Sequence, residues 1–143
     1  MSADVVALAR GWIGTPYLHQ ASVKGVGCDC LGLLRGVWRE VHGAEPEQIP
    51  AYTADWSEPQ GQELLMDAAL RHLHPVGDAP LVAGQVLLFR MRKGAVAKHV
   101  GILASADATP SFIHAYSGHG VVQSPLSAPW RRRITARFAF QKG

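Results

Sequence analysis

The sequence predicts an α+β domain in which N-terminal helices pack on a mostly antiparallel β-sheet. Its 143 residues are enough for one domain with a buried core, so residues 1–143 are expected to form a single domain. Apolar residues recur at helical spacing in the first half of the chain, and short strand-like runs between turns fill the second half. Helices first and strands second favour an α+β fold over an alternating parallel one.

Three helices are expected. The first spans residues 3–13, where apolar residues form one face. The second follows Cys30, because Asp29 is a good N-cap residue, the apolar positions after Cys30 have helical spacing, and Gly43 is a good stop. The third spans residues 60–73, which are amphipathic.

A long surface loop is expected between the second and third helices. Residues 44–59 are rich in Pro, Glu and Asp, and Trp56 within them is a candidate for lining a substrate groove.

Five strands are expected in the second half, at residues 84–90, 98–104, 111–116, 120–124 and 133–140. The basic cluster Arg131-Arg132-Arg133 then falls at the start of the last strand. It is interpreted as a solvated sheet edge, with contact to a polyanion or a partner as the alternative.

Two histidines are expected to face each other across a hairpin. If the strands carrying His99 and His114 turn near Ala106-Asp107 without a bulge, each residue i faces residue 213 minus i, which pairs His99 with His114. Side chains paired in this way lie about 5 Å apart on one face of the sheet. We expect this to be the face on which the helix that begins at Cys30 packs.

Cys30, His99 and His114 suit the roles of nucleophile, base and orienting residue. A helix N-terminus lowers the pKa of a thiol, an imidazole can take its proton, and a second polar group fixes the tautomer of that imidazole. The amide of Cys30 and the hydroxyl of Tyr17 are candidate donors to an oxyanion. Asp29 opposes thiolate formation by its charge, and it is either a helix cap or a substrate contact.

Composition and charge narrow the functional classes. The net charge of +3 is too mild to argue for nucleic acid binding, and no apolar run is long enough to span a membrane. The N-terminal residues are not expected to form a signal peptide. We therefore expect synthesis in the cytoplasm, and any action outside the cell would need another export route. The two cysteines favour a reactive thiol or a metal site over a disulfide framework, and Cys28 has no assigned role.

The motifs GTPY, DC-x-G-L-L, HVGI and FIHA, in this order, resemble the NlpC-type (p-sixty superfamily) peptidoglycan cysteine peptidases across residues 11–123. The longer stretch GTPYLHQASVKGVGCDCLGLLRGVWRE resembles the branch encoded by phages and gene transfer agents. The resemblance implies a papain-like fold and hydrolysis of a stem-peptide amide, typically between D-glutamate and a diamino acid. It also implies Cys30 as nucleophile, His99 as base, His114 as orienting residue and Tyr17 beside the oxyanion.

The implied enzyme needs no cofactor or metal and acts on peptidoglycan stem peptides. Its implied partners are phage-like tail or particle proteins, with no nucleic acid or membrane, and delivery would be with a virion or to the periplasm and cell wall. One residue departs from the family pattern: Leu31 stands where the serine of DCSG is usual, which bears on substrate preference.

Two other functions stay open on the sequence alone. Cys28, Cys30, His99 and His114 supply two sulfur and two nitrogen ligands, an acceptable zinc set, although C-x-C is tighter than the usual spacing. A catalytically idle phage-tail assembly module is the other alternative. Acyl transfer in place of hydrolysis is also open, since an amine can take the thioester as well as water. His19 is a candidate for lining the cleft, and His119 is interpreted as a surface residue.

Overall fold

The computed structural model describes residues 4–46, 63–92 and 94–140. Within these ranges there are four helices: α1 (Val5–Arg10), α2 (Cys30–His42), α3 (Leu64–His72) and α4 (Ala128–Arg133). The strands in the same ranges are β1 (Ser22–Val23), β2 (Gly27–Cys28), β3 (His74–Pro75), β4 (Val86–Arg90), β5 (Ala97–Ser105), β6 (Ser111–Tyr116), β7 (Gly120–Pro125) and β8 (Ile134–Ala139).

Six strands form one antiparallel sheet in the order β3-β8-β4-β5-β6-β7, and β1 pairs with β2 in a small antiparallel hairpin. Two apolar clusters join α1, α2 and α3 to one face of the sheet, and a third packs Trp130 of α4 on the other face. The predicted α+β fold, with N-terminal helices on a mostly antiparallel sheet, is confirmed. No helix in the described ranges is long and apolar enough to cross a membrane.

Helix α2 begins and ends where its cap residues predict. The Asp29 carboxylate accepts a hydrogen bond from the Gly32 amide at 2.7 Å, and Gly43 ends the helix with a φ of 89°, which suits glycine. Between these ends, Leu33 and Val37 are buried against the sheet. This helix therefore fixes the position of its first residue, Cys30.

The hairpin register is shifted by two residues from the prediction. Ile102 pairs with Ile113, whereas the predicted register would pair it with Ser111. The turn is centred further along the chain, because Asp107 accepts a hydrogen bond from the Thr109 amide and β5 has an irregularity between Leu103 and Ser105. The shift is an even number of residues, so the two histidines still share one face.

The arginine cluster does not begin the last strand, and that prediction was wrong. Arg131, Arg132 and Arg133 form the last turn of α4, and β8 starts at Ile134. Pro129 lies in the first turn of α4, where its fixed φ and missing N–H suit a helix.

Helix α3 begins at Leu64, and the expected residues 60–62 lie outside the described residues. Most of the predicted loop 44–59, including Trp56, is also outside them.

Candidate active site

Cys30 is the first residue of α2, and its side chain is buried against the backbone of β5. Its Sγ lies 4.0 Å from the carbonyl oxygen of Lys98, and the backbone amide of Val100 also interacts with the sulfur. Both backbone groups flank His99 in sequence. The helix start and the strand therefore bring the cysteine beside the predicted base.

His99, His114 and Ser124 form a chain of side-chain hydrogen bonds across β5, β6 and β7. His99 Nε2 lies 2.8 Å from His114 Nδ1, and His114 Nε2 lies 2.9 Å from Ser124 Oγ. Both imidazoles are buried, His114 completely. The structure thus places the two histidines in direct contact, although the observed register makes them diagonal neighbours rather than the directly paired residues that the hairpin argument predicted.

The two histidines do not lie on the helix-packed face of the sheet, and that prediction was wrong. Val100 packs with α2 and α3, whereas the His99 ring packs against Phe89 and Trp130 on the opposite face. The pairing of β4 with β5 is irregular at Lys98, so side chains of β5 do not alternate between the two faces there. Such bulges often reorient a side chain next to an active site. Cys30 and His99 consequently both lie at the backbone of β5 around Lys98.

A cleft of about 150 Å³ lies between the start of α2 and the start of β5. The residues that line it include Tyr17, His19, Asp29, Cys30, Lys98 and His99. His114 is fully buried and is linked to the cleft by its bond to His99. The structure therefore brings all five predicted site residues together, and His19 lines the cleft as its position suggested.

Burial is the main influence on the pKa values of Cys30 and His99. It raises the pKa of Cys30 to about 12, with the Asp29 charge adding to the effect and the backbone amides of Val100, Leu31 and Cys30 opposing it. Burial, and secondarily the neighbouring His114, lowers the pKa of His99 to about 3. The expectation of a thiol with a lowered pKa was wrong, because removal of water outweighs the helix N-terminus. In the unliganded site both side chains are therefore neutral.

Tyr17 lies half-buried where the loop after α1 meets β2. Burial, followed by the charges of Cys30 and Asp29, raises the pKa of its hydroxyl to about 12. The phenol stays protonated at neutral pH and is available as a hydrogen-bond donor at the cleft.

Asp29 is buried and ties the loop before the helix to the helix itself. Its Oδ1 accepts from the Gly32 amide at 2.7 Å, its Oδ2 accepts from the Gln20 amide at 2.7 Å, and His19 Nδ1 lies 3.7 Å from Oδ2. These contacts give it the structural role of a helix cap while it also lines the cleft.

Cys28 and Leu31 face away from the cleft. Cys28 is completely buried in the apolar cluster beneath α1 and α2, and burial raises the pKa of its thiol to about 12. Leu31 lines a separate apolar groove with Leu34 of α2 and Leu65 of α3. The residue that departs from the family pattern therefore packs in the core between two helices.

Three residues near the site were not singled out from the sequence: Ser124, Trp130 and Lys98. The Trp130 ring packs 5.6 Å from that of His99 and 5.2 Å from that of His114. Neither a lone serine nor a tryptophan in a six-residue helix has a sequence signal. Lys98 could have been found by its position beside the predicted base.

The geometry does not favour the zinc alternative. Cys28 packs in the core, and both ring nitrogens of His114 lie at hydrogen-bond distance from protein partners. In the described ranges no group of three or more His, Cys, Asp or Glu side chains is placed to hold a metal ion.

Comparison with known proteins places this chain in a family. A model of the NlpC/P60 family matches residues 14–138, while a comparison with curated proteins found no match.

Solved structures share the fold. An NlpC/P60 family protein from Bacillus cereus is 21% identical with a TM-score of 0.66, and a protein similar to lipoprotein, of the NLP/P60 family, from Staphylococcus aureus is 18% identical with a TM-score of 0.59. Each match covers 98% of this chain and 41% of the other protein, so the chain spans less than half the length of these relatives.

Proposed function

The chain belongs to the NlpC/P60 family, whose members are typically cysteine peptidases acting on cell-wall peptides, and we propose that it hydrolyses an amide bond in peptidoglycan stem peptides with Cys30 as the nucleophile. The observation that carries this proposal is the shared cleft: Cys30 and His99 line it together, and His99 is bound to His114 behind it. This order of thiol, imidazole and second imidazole supports the proposed roles of nucleophile, base and orienting group.

The reaction begins as Cys30 Sγ attacks the scissile carbonyl carbon and its proton moves to His99. The Nε2 atom of His99 is engaged with His114, which leaves Nδ1 to take the proton. The carbonyl oxygen becomes an oxyanion, for which the Cys30 amide and the Tyr17 hydroxyl are the proposed donors. The bond to the leaving amine then breaks, the amine takes the proton from His99, and a thioester remains on Cys30.

Water completes the reaction by attacking the thioester with His99 again as base, which releases the acid and restores the thiol. Burial disfavours the charged forms of both Cys30 and His99, so we propose that the proton moves as the sulfur attacks, without a preformed ion pair. As the sulfur attacks, the negative charge passes to the carbonyl oxygen at the helix N-terminus, where hydrogen-bond donors make it less costly than on the buried sulfur.

For the scissile bond we propose the amide between D-glutamate and a diamino acid, as family resemblance implies. Purified muropeptides with defined stems test this by mass spectrometry of the products. Release of a fragment that begins with the diamino acid supports the assignment, and cleavage elsewhere in the stem contradicts it.

The role of Cys30 is tested by the matched pair Cys30→Ala and Cys28→Ala in the same assay. We expect Cys30→Ala to abolish turnover and Cys28→Ala to retain it, since only Cys30 lines the cleft. Equal rates for Cys30→Ala and the unmodified chain would overturn the peptidase proposal. Formation of a new amide in the presence of an added amine would show acyl transfer in place of hydrolysis.

We also propose, on the resemblance to the phage and gene-transfer-agent branch, that the chain is made in the cytoplasm and delivered to the cell wall with a phage-like particle. Peptides of this chain in purified particles from the source cells would support this, and their absence from particles that contain the other tail proteins would contradict it.

A further inference from the structure

The hydrogen-bond chain behind the cleft contains one more residue than the proposed catalytic trio. His114 uses Nδ1 toward His99 and Nε2 toward Ser124 Oγ, at 2.8 Å and 2.9 Å. Ser124 lies on β7, half-buried, where its backbone pairs with Phe112. Its hydroxyl is therefore held next to the histidine by a strand that also supports the sheet.

Only two proton arrangements fit this chain when both imidazoles are neutral. In the first, His99 donates from Nε2 to His114 Nδ1, and His114 donates from Nε2 to Ser124 Oγ. In the second, every donor and acceptor is exchanged, so His99 carries its proton on Nδ1. Only the first arrangement leaves His99 Nδ1 unprotonated and able to accept the proton of Cys30.

Only the first proton arrangement remains possible once His99 has taken the proton of Cys30. A cationic imidazole has N–H groups on both nitrogens, so His99 Nε2 must donate and His114 Nδ1 must accept. The single proton of neutral His114 then lies on Nε2 and needs an acceptor, and Ser124 Oγ is the atom at hydrogen-bond distance. A serine hydroxyl can accept this bond while its own hydrogen turns elsewhere.

We propose that Ser124 is a positioning residue for the reaction: its hydroxyl accepts the Nε2–H of His114 and thereby keeps His99 Nδ1 available as the base. This inference rests on the proposed function for its consequence in catalysis, while the tautomer itself is a property of the unliganded protein. Ser124 is not one of the residues that line the cleft, and its hydroxyl bonds to His114, so it acts through that histidine.

The tautomer is measured directly by two-bond ¹H–¹⁵N NMR of histidine-labelled protein without substrate. We expect His114 to carry its proton on Nε2 with Nδ1 bare, and His99 to carry its proton on Nε2. In Ser124→Ala the N–H of His114 loses its acceptor, and we expect signals of the other tautomer to appear. A wild-type His114 protonated on Nδ1 would overturn the proposal whatever the enzyme cleaves.

Kinetics on muropeptides supply the second readout. We expect Ser124→Ala to lower kcat about tenfold, the loss of about 1.4 kcal/mol of transition-state stabilisation, with KM nearly unchanged. Ser124→Thr keeps a hydroxyl and suits a strand, so it should restore kcat to within about threefold of wild type.

Ser111→Ala is the matched control, because that serine hydroxyl lies on the neighbouring strand and bonds to Ser105 and Gln123 rather than to a histidine. It should leave both kcat and the histidine tautomers unchanged. A Ser124→Ala enzyme with the kcat of wild type, or a folded Ser124→Thr enzyme as slow as Ser124→Ala, would contradict the positioning role. Activity that does not depend on Cys30 would instead refute the proposed function and leave the tautomer result standing.

Discussion

Asp29 stabilises the fold and weakens the nucleophile with the same carboxylate. It caps α2 through the Gly32 amide and holds the preceding loop through the Gln20 amide. Its negative charge also adds to the burial that raises the pKa of the Cys30 thiol. The residue therefore sets the position of the sulfur at the expense of its ionisation.

Asp29→Asn should separate these two effects. Asparagine is a good N-cap whose one side-chain oxygen can keep the bond from the Gly32 amide, so α2 keeps its start, whereas its NH2 group cannot accept from the Gln20 amide. Loss of the negative charge lowers the pKa of Cys30. We expect alkylation of Cys30 at pH 8, followed by peptide mass spectrometry, to become at least about threefold faster, as a fall of half a pKa unit requires. Asp107→Asn is the control, because Asp107 also caps a backbone amide but lies in the exposed turn after β5. An unchanged alkylation rate in Asp29→Asn would refute the electrostatic argument.

At the scale of single elements, the start of α2 depends on a glycine. A Cβ atom on Gly32 would lie 1.8 Å from the carbonyl oxygen of Ala21, far inside contact distance. The loop that carries Tyr17 and the helix that carries Cys30 approach each other at this point. Only a residue without a side chain permits that approach.

Gly32→Ala should therefore destabilise the protein and disturb the cleft together. We expect a loss of about 2 kcal/mol or more in unfolding free energy, measured by urea titration, and a large fall in activity on muropeptides. Gly11→Ala is the control, because its φ of −63° is helical and a Cβ atom there would meet the flexible end of Lys24. Gly11→Ala should stay within about 1 kcal/mol of wild type. Equal stability of the two variants would contradict the packing argument.

The sequence predicts local features of this fold better than long-range ones. Helix α2 could be predicted because Asp29, Gly43 and the apolar spacing between them all specify the same helix. The hairpin register could not, because it depends on the turn chemistry of Asp107 and Thr109 and on a bulge. The two histidines were still placed together because an even shift preserves the face of a strand.

At the scale of the whole molecule, the site lies at the start of the interior strand β5 and combines residues from both faces of the sheet. Cys30 comes from the helix-packed side, and the histidines come from the side covered by Trp130. The sequence shows which strand residues share a face of the sheet, but not which face the helices cover. It also gives no signal for Ser124. This arrangement buries both imidazoles, with consequences for stability that go beyond the reaction.

Two buried neutral histidines should make the fold sensitive to acid. Burial lowers the pKa of His99 to about 3 and that of His114 to about 4, below the ordinary value of 6.5. As the pH falls below about 6.5, these two histidines therefore bind protons in the unfolded chain while they stay neutral in the folded chain. The unfolding free energy contributed by the neutral histidines is fully present above the ordinary value, begins to fall as the pH drops below it, and is fully lost once the pH has fallen through the two lowered values. Each proton taken up on unfolding removes roughly 1.4 kcal/mol per pH unit.

Urea unfolding at pH 7.0, 5.5 and 4.5 tests this. We expect the unfolding free energy to fall steadily over the series and the slope to be smaller in His99→Gln, which has one fewer buried imidazole. Comparing slopes rather than absolute values removes the general cost of that substitution. His74→Gln, at an exposed histidine in the short strand β3, should keep the wild-type slope. A flat profile in the wild type, or equal slopes in the wild type and His99→Gln, would mean that water reaches the imidazoles and that the pair is not sealed beneath Trp130.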